Sequence, residues 1–396
     1  MLSRLHPNVF ILTLAQALIG STGPLVVLTG GIIGIQLAPT ESLATLPIAF
    51  MVIGVALFTW PMAKLFSYIG RKKGFLLATC WGALNALFTA FTVVQQQFWL
   101  FCIAIALFGV SLAALQQFRF AAMESCANKD AGLAVSVLLL AGLVAAFLGP
   151  ELGVWGQGLL TTDYAGSFIL VSALMAVACI VLLFFKPVSQ STDEQQGNPR
   201  PLSVIAKQPV FIVALMVAAS GFAVMSFIMT ATPISMHVHH HFDMQQTKWV
   251  IQSHVIAMYL PSLLTPFLIH KIGIYKLMLT GIVAMSLCIA IGLYDQKFMH
   301  FWWALVLLGM GWNFMFVSGT SLLPRSYNSS EKFKVQGFND LITFSIQAVV
   351  SLSAGWIIFT TGWQSLLLLP LPLLALTALA IIYWRKQTSN PLINLN

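Results

Sequence analysis

Two side-chain pairs carry the most specific chemistry in this sequence, Met225-x-x-x-Met229 and His254-x-x-x-Met258. Residues four apart share one face of a helix, so each pair forms a two-ligand edge if its segment is helical. Thioether sulfur and imidazole nitrogen are neutral, soft-to-borderline donors suited to Cu(I), whereas Mg, Ca and Mn prefer carboxylate and carbonyl oxygen. No carboxylate belongs to the set. A neutral set also suits passage, because a monovalent ion trades hydration for donors that hold it without a fixed counter-charge. With 16 methionines and eight histidines in 396 residues, single matches arise by chance, His240-x-x-x-Met244 among them. The weight therefore lies in the conjunction of two pairs on consecutive apolar segments.

Between these pairs runs the tract Met236-His237-Val238-His239-His240-His241, followed by Asp243 and Met244. Histidine-rich tracts commonly bind metals. This one reads either as a place where copper is captured before delivery to the paired residues, or as a solvated loop whose imidazoles titrate near neutral pH.

The elements that must position these residues follow from composition. Charged residues make up 8% of the chain and hydrophobic ones 59%, with mean hydropathy +0.89, where soluble domains carry roughly a quarter charged residues. About 20 apolar residues cross a bilayer as a helix, which satisfies its own backbone in lipid. The apolar runs predict an all-α polytopic membrane protein with twelve transmembrane helices. They lie near 9–34, 43–66, 75–93, 98–122, 132–157, 167–185, 209–234, 247–268, 277–294, 301–323, 338–361 and 364–384. Arg4 ahead of the first run resembles the charged start of a signal peptide, but eleven further runs favour a retained first span.

With the N-terminus inside, the loop cations from Lys64 and Arg71 to Arg385 and Lys386 fall on the cytoplasmic side, and only Lys248 and Lys297 fall outside. This bias predicts both termini in the cytoplasm of a bacterial inner membrane. The pI near 9.3 is then a matter of topology rather than of nucleic-acid binding. Cys80, Cys102, Cys126, Cys179 and Cys288 form no C-x-x-C pair and suggest neither a disulfide framework nor a zinc site.

A polar stretch from Lys186 to Gln208 divides the runs six and six, which predicts an N-terminal bundle over 1–186, a cytoplasmic linker over 187–208 and a C-terminal bundle over 209–396. The halves show self-similarity at a shift of about 200 residues: Leu65–Lys73 after the second run matches Leu268–Lys276 after the eighth, and Phe98, Trp99 and Gly109 match Phe301, Trp302 and Gly309. Duplicated halves are the build of many secondary transporters.

The loop after the second run resembles the signature of the major facilitator superfamily, G-x-L-x-D-R-x-G-R-R/K, through Leu65, Gly70, Arg71 and Lys72. Ser67 stands at the signature's acidic position and Ala63 at its first glycine, which weakens the charge-relay latch attributed to this loop. Gly149-Pro150-Glu151 in the fifth run is similar to that superfamily's antiporter motif and reads equally as a packing and kink site. Within the superfamily, the two Met/His pairs resemble those of the CcoA-like bacterial copper importers, whose near relatives include riboflavin transporters. The resemblance implies copper import by alternating access through Met225, Met229, His254 and Met258, supplying cytochrome oxidase assembly. It implies lipids, copper and a periplasmic copper donor as partners, a monomer, and no cofactor, copper being the cargo. The alternative reading is uptake of riboflavin or proton-coupled efflux of an organic solute, with Trp312, Asn313, Gln116 and Gln117 as its pocket.

Polar residues at membrane depth mark cavities or interhelical bonds; here they are Gln16, Gln116, Gln117, Arg119, Glu151, Asn313, Asp340 and Gln347. Glu151 and Asp340, both placed near span ends within reach of interfacial water, are candidates for proton handling. No P-loop, nucleophile elbow or H-E-x-x-H pattern is present, so an enzyme is not expected.

Overall fold

The computed structural model describes residues 5–40, 43, 46–127, 130–187, 199–236, 240, 242 and 244–388, with the backbone alone at 35, 234, 244, 245, 248, 355, 359 and 388. Among these residues the chain forms twelve helical spans. α1 covers 7–37, as Pro7–Gly20 and Thr22–Leu37 on either side of Ser21. The continuous stretch Leu46–Val94 is two spans, α2 (46–69) and α3 (71–94), because Gly70 at φ 77°, ψ 166° breaks it. α4 (98–124), α5 (Ala131–Gly156) and α6 (Ala165–Leu183) follow. α7 is Pro209–Ile234, and α8 (244–272) passes through the short 3-10 turn Leu260–Leu263. Gly273, at φ 82°, ψ 158°, separates α8 from α9 (274–294). α10 is Phe298–Leu322, and Gly362, at φ 81°, ψ 176°, separates α11 (332–361) from α12 (363–388).

The three breaking glycines share a conformation that is essentially closed to residues with a Cβ. A Cβ at any of the three would touch nothing within 4 Å, so the requirement is purely one of backbone angle. Gly70 and Gly273 are also the paired glycines of the internal repeat. The repeated signature thus encodes a sharp helix-to-helix joint, which is why spans two and three, and eight and nine, follow each other without an intervening loop.

By packing, the chain forms two units: residues 1–191 with 336–344, and residues 192–335 with 345–396. In the first unit α3 packs on α4 and α6, and α1 on α5. Gly54 of α2 lies directly against the backbone of Ala106 and Gly109 in α4, and Asn85 Nδ2 donates to the Ala104 carbonyl at 2.8 Å. Asn8 fastens the start of α1 to the end of α6 by donating to the Lys186 carbonyl at 2.6 Å and accepting from the Lys186 amide at 3.1 Å.

In the second unit α10 is the hub, and its glycines meet three different helices. A Cβ at Gly309 would lie 2.7 Å from the His254 carbonyl oxygen and 2.9 Å from the Met258 nitrogen in α8; one at Gly311 would lie 2.9 Å from the Gly281 oxygen in α9; one at Gly319 would lie 2.9 Å from the Ala214 oxygen in α7. Gly309 against α8 mirrors Gly109 against α2, two hundred residues apart, so the duplication read from loops extends into helix packing. Arg200 is anchored in this unit by Glu331, whose carboxylate accepts from Arg200 Nε at 2.8 Å and Nη2 at 2.6 Å. That hydrogen bond raises the guanidinium's pKa above its usual value against the opposing effect of desolvation.

Candidate functional site

The second unit places the Met/His pairs along α10 as along a ruler. His254 Nδ1 is 2.8 Å from the Leu305 carbonyl oxygen, and Gly309 meets α8 at Ala257 and Met258. On the other flank, the Phe222 ring packs edge-on against Trp312 at 5.3 Å and Phe316 at 5.1 Å, and α7 runs antiparallel from there. At 1.5 Å per residue, Met225 lies about 4.5 Å and Met229 about 10 Å from Phe222 along the axis. Met225 is therefore level with Met258 near Gly309, and Met229 is level with His254 near Leu305. α7 and α8 pack chiefly on α10 rather than on one another. Met225, His254 and Met258 are buried, and Met229 is half-buried.

The hydrogen bond to Leu305 fixes more than position. A carbonyl oxygen only accepts, so the imidazole must carry its proton on Nδ1, and Nε2 of the neutral ring keeps a bare lone pair. That nitrogen is buried, with His254 1% exposed, and has no hydrogen-bond partner among the described residues. A free, desolvated acceptor is costly unless something else binds it. Trp312 Nε1, also buried, is a donor without a partner among the described residues. Trp312 stacks on Phe316 at 5.0 Å and 15°, and meets Tyr259 edge-on at 5.8 Å. The unit thus holds a bare acceptor, a bare donor about two helical turns further along, and a set of rings.

Asn313, by contrast, is fully used. Its Nδ2 donates to the Met258 carbonyl at 2.7 Å and Ser262 Oγ at 2.6 Å, and its Oδ1 accepts from Thr265 at 2.9 Å. It fastens α8 to α10 beneath the Met258 layer. Tyr259, Phe222, Ser262 and Thr265 were not singled out from sequence; their spacing from His254 and Met258 on the same helix, or from Met225, was the available signal.

The first unit holds a separate charge cluster. Arg71, at the signature's basic end, donates from Nε to Glu124 Oε2 at 2.9 Å and from Nη2 to Glu124 Oε1 at 2.6 Å and Gln336 Oε1 at 2.7 Å. Glu124 therefore supplies the carboxylate that Ser67 does not, while Ser67 only caps locally onto the Lys64 carbonyl. Lys72 donates to the Leu183 carbonyl at the end of α6, at 2.7 Å. Arg119 and Asp340 form a buried ion pair, their side chains 5% and 0% exposed. Asp340 also accepts from Gln117 Nε2 at 2.9 Å and Asn339 Nδ2 at 3.0 Å. The expectation that interfacial water reaches Asp340 is corrected: its carboxylate is enclosed and fully partnered. Glu124, Gln336 and Asn339 escaped the sequence reading, although Glu124 falls seven residues after Gln117 and Gln336 four before Asp340.

Of the remaining candidates, Gln116 accepts from Arg119 at 3.4 Å and Gln16 donates to the Leu138 carbonyl at 3.3 Å, both interhelical or local ties. Glu151 is exposed in the last turns of α5, and a Cβ at Gly149 in the same motif would lie 2.5 Å from the Ser21 carbonyl oxygen of α1. His240 holds the Ser235 carbonyl at 2.8 Å. His237, His239 and His241 lie outside the described residues.

The sequence profile of the Major Facilitator Superfamily matches residues 7–243 and again 219–394. The chain belongs to that superfamily. It is accordingly a multi-pass membrane protein and a secondary transporter, not an enzyme. Among superfamily members of known sequence, the riboflavin transporter RfnT of Brucella anthropi is 34% identical over 380 residues, covering 95% of each chain. An uncharacterised transporter of the superfamily from Bacillus subtilis, YdeG, is 27% identical, covering 96% of this chain and 92% of its own. Of solved superfamily structures, the transporter FucP in the outward conformation superposes with TM-score 0.74 at 13% identity over 96% of this chain and 99% of FucP. The fold with riboflavin-transporting relatives agrees with the sequence reading, whereas no copper importer is among these relatives.

Proposed function

We propose that this transporter takes up riboflavin or a closely similar flavin. The observation that carries the reading is the pairing, within one unit, of the lone pair on His254 Nε2 and the unpartnered Trp312 N–H with the rings of Phe222, Tyr259, Trp312 and Phe316. An isoalloxazine is flat and apolar on its faces and carries an imide N–H and carbonyl oxygens on one edge. It offers its imide N–H to His254 and a face to the rings, and the hydroxyls of riboflavin's ribityl chain offer an acceptor to Trp312 about two helical turns away. Solute sites of this kind are mostly apolar and aromatic, with a few placed polar atoms. The 34% identity to a riboflavin transporter over nearly the whole chain supports the same assignment. In this reading the bundles 1–186 and 209–396 alternate access across a bacterial inner membrane, with both termini cytoplasmic as the loop cations favour.

The test is uptake of labelled riboflavin into proteoliposomes. Removing a neutral hydrogen bond costs about 0.5–1.5 kcal/mol, so His254→Phe and Trp312→Phe should each raise the KM about 2- to 13-fold with normal protein in the membrane. Absence of riboflavin uptake by the wild-type protein would refute the proposal.

Copper import is the second reading, favoured by one specific observation: the same bare Nε2 lies level with Met229, one helical turn from the buried thioethers of Met225 and Met258. Leucine replaces methionine at nearly constant volume. If copper is the cargo, Met225→Leu/Met229→Leu/Met258→Leu abolishes copper accumulation; if flavin is, the triple variant keeps riboflavin uptake.

A further inference from the structure

Cys80 on α3 and Cys179 on α6 bring their sulfurs to 3.4 Å. The register of the two helices is pinned on both sides of the pair. Lys72 Nζ donates to the Leu183 carbonyl at 2.7 Å and Ser172 Oγ to the Ala83 carbonyl at 2.9 Å. Between them α3 is closely packed at Gly82, where a Cβ would run into Ser111 Oγ of α4 and lie 2.5 Å from Met175 Sδ of α6. A disulfide needs a bond of about 2.05 Å, which leaves about 1.4 Å for the two sulfurs to travel.

The pair also opens in a particular direction. Cys80 is exposed, and Leu77, Leu84 and Leu87, which lie at helical spacing on the same face of α3, are 55%, 66% and 48% exposed. An exposed leucine stripe on a transmembrane helix faces hydrocarbon. Cys179, like Cys126, is half-buried, and Cys102 and Cys288 are buried, so Cys80 is the exposed member through which the pair is reached.

We propose that Cys80 and Cys179 form a redox modification site, closed to a disulfide by a lipid-dissolved oxidant of the quinone class. The S–S bond forms as both S–H bonds break; the two electrons and two protons pass to the quinone, which leaves as its hydroquinone. The closed bond ties α3 to α6 inside the first unit. Because the sulfurs are approached from the lipid, a charged oxidant confined to water does not reach them.

The experiment counts thiols in the intact protein in membranes. Samples are treated with copper(II)–phenanthroline, with duroquinone (which has no ring carbon open to thiol addition) or with ferricyanide, then denatured, alkylated and weighed by mass spectrometry. The first two reagents should lower the number of alkylated cysteines from the five of the sequence to three, and ferricyanide should leave all five. Cys80→Ser should retain all four of its thiols under every treatment. Five thiols after copper–phenanthroline would overturn the juxtaposition itself. Closure by copper–phenanthroline but not by duroquinone would overturn the quinone class, and equal closure by ferricyanide would overturn the lipid route. Loss of thiols in Cys80→Ser would assign the chemistry to other cysteines.

Discussion

The Arg119–Asp340 pair offers the sharpest test of the packing described above. Both side chains are almost fully enclosed, and Asp340 takes two further amide hydrogen bonds from Gln117 and Asn339. Removing one member leaves the other as a buried charge, which costs about 3–5 kcal/mol, whereas replacing both by apolar or neutral groups of similar size is close to neutral. Arg119→Met and Asp340→Asn should therefore each destabilise the protein by about 3 kcal/mol or more, roughly a 150-fold shift in the unfolding equilibrium. Arg119→Met/Asp340→Asn should be milder than either single variant. The assay is equilibrium unfolding by SDS in mixed micelles, followed by tryptophan fluorescence and run as a double-mutant cycle. Independent sites add to within about 0.3–0.5 kcal/mol. Single-variant effects below about 1 kcal/mol that simply add would mean the pair is hydrated, and the argument from burial would fail.

Three further outcomes follow from local geometry. Gly70→Ala and Gly273→Ala introduce no clash, only a forbidden backbone angle, so each should cost about 1–3 kcal/mol in the same unfolding assay. Gly309→Val presses a side chain onto the His254 carbonyl at 2.7 Å and should cost about 1–3 kcal/mol while raising the KM for solute; a KM equal to wild type would detach Gly309 from the site. Glu331→Gln weakens a pair whose arginine is 37% exposed, so a loss of about 1 kcal/mol is expected in the same unfolding assay.

The sequence made the membrane spans legible because apolar length is a direct physical requirement of the bilayer. It also marked the two joints, since Gly70 and Gly273 recur in a repeated loop, although it could not show that the loop collapses to a single glycine. The third joint, Gly362, belongs to no repeated signature, yet the boundary read between the eleventh and twelfth runs falls on it, at 362–363. In the structure Met229 is level with His254 and Met225 with Met258, a relation that follows from helix rise along two antiparallel spans. Which helix they pack on was not accessible, because a hub such as α10 is specified by where glycines meet other backbones. The charge cluster was half visible: Arg119 and Asp340 stood out as charges at membrane depth, but their pairing spans 221 residues and has no local trace.

The pattern that first suggested copper and the site that suggests flavin share one residue, and the tautomer of His254 explains why both readings arise. An imidazole held through Nδ1–H presents the same lone pair to a soft cation and to an imide N–H. Spacing cannot separate these two uses, because Met-x-x-x-Met and His-x-x-x-Met describe only helical faces. What separates them is the surrounding surface. A copper site needs thioethers converging on Nε2, whereas a flavin site needs rings and a second polar atom at a molecular length. Trp312 Nε1, two turns from His254 along α10, meets the second requirement and has no use in the first. Trp312→Phe is thus the discriminating substitution. It should raise the riboflavin KM while leaving copper accumulation unchanged, and a Trp312→Phe variant with wild-type riboflavin kinetics would remove the indole from the site and return the weight of evidence to the sulfurs.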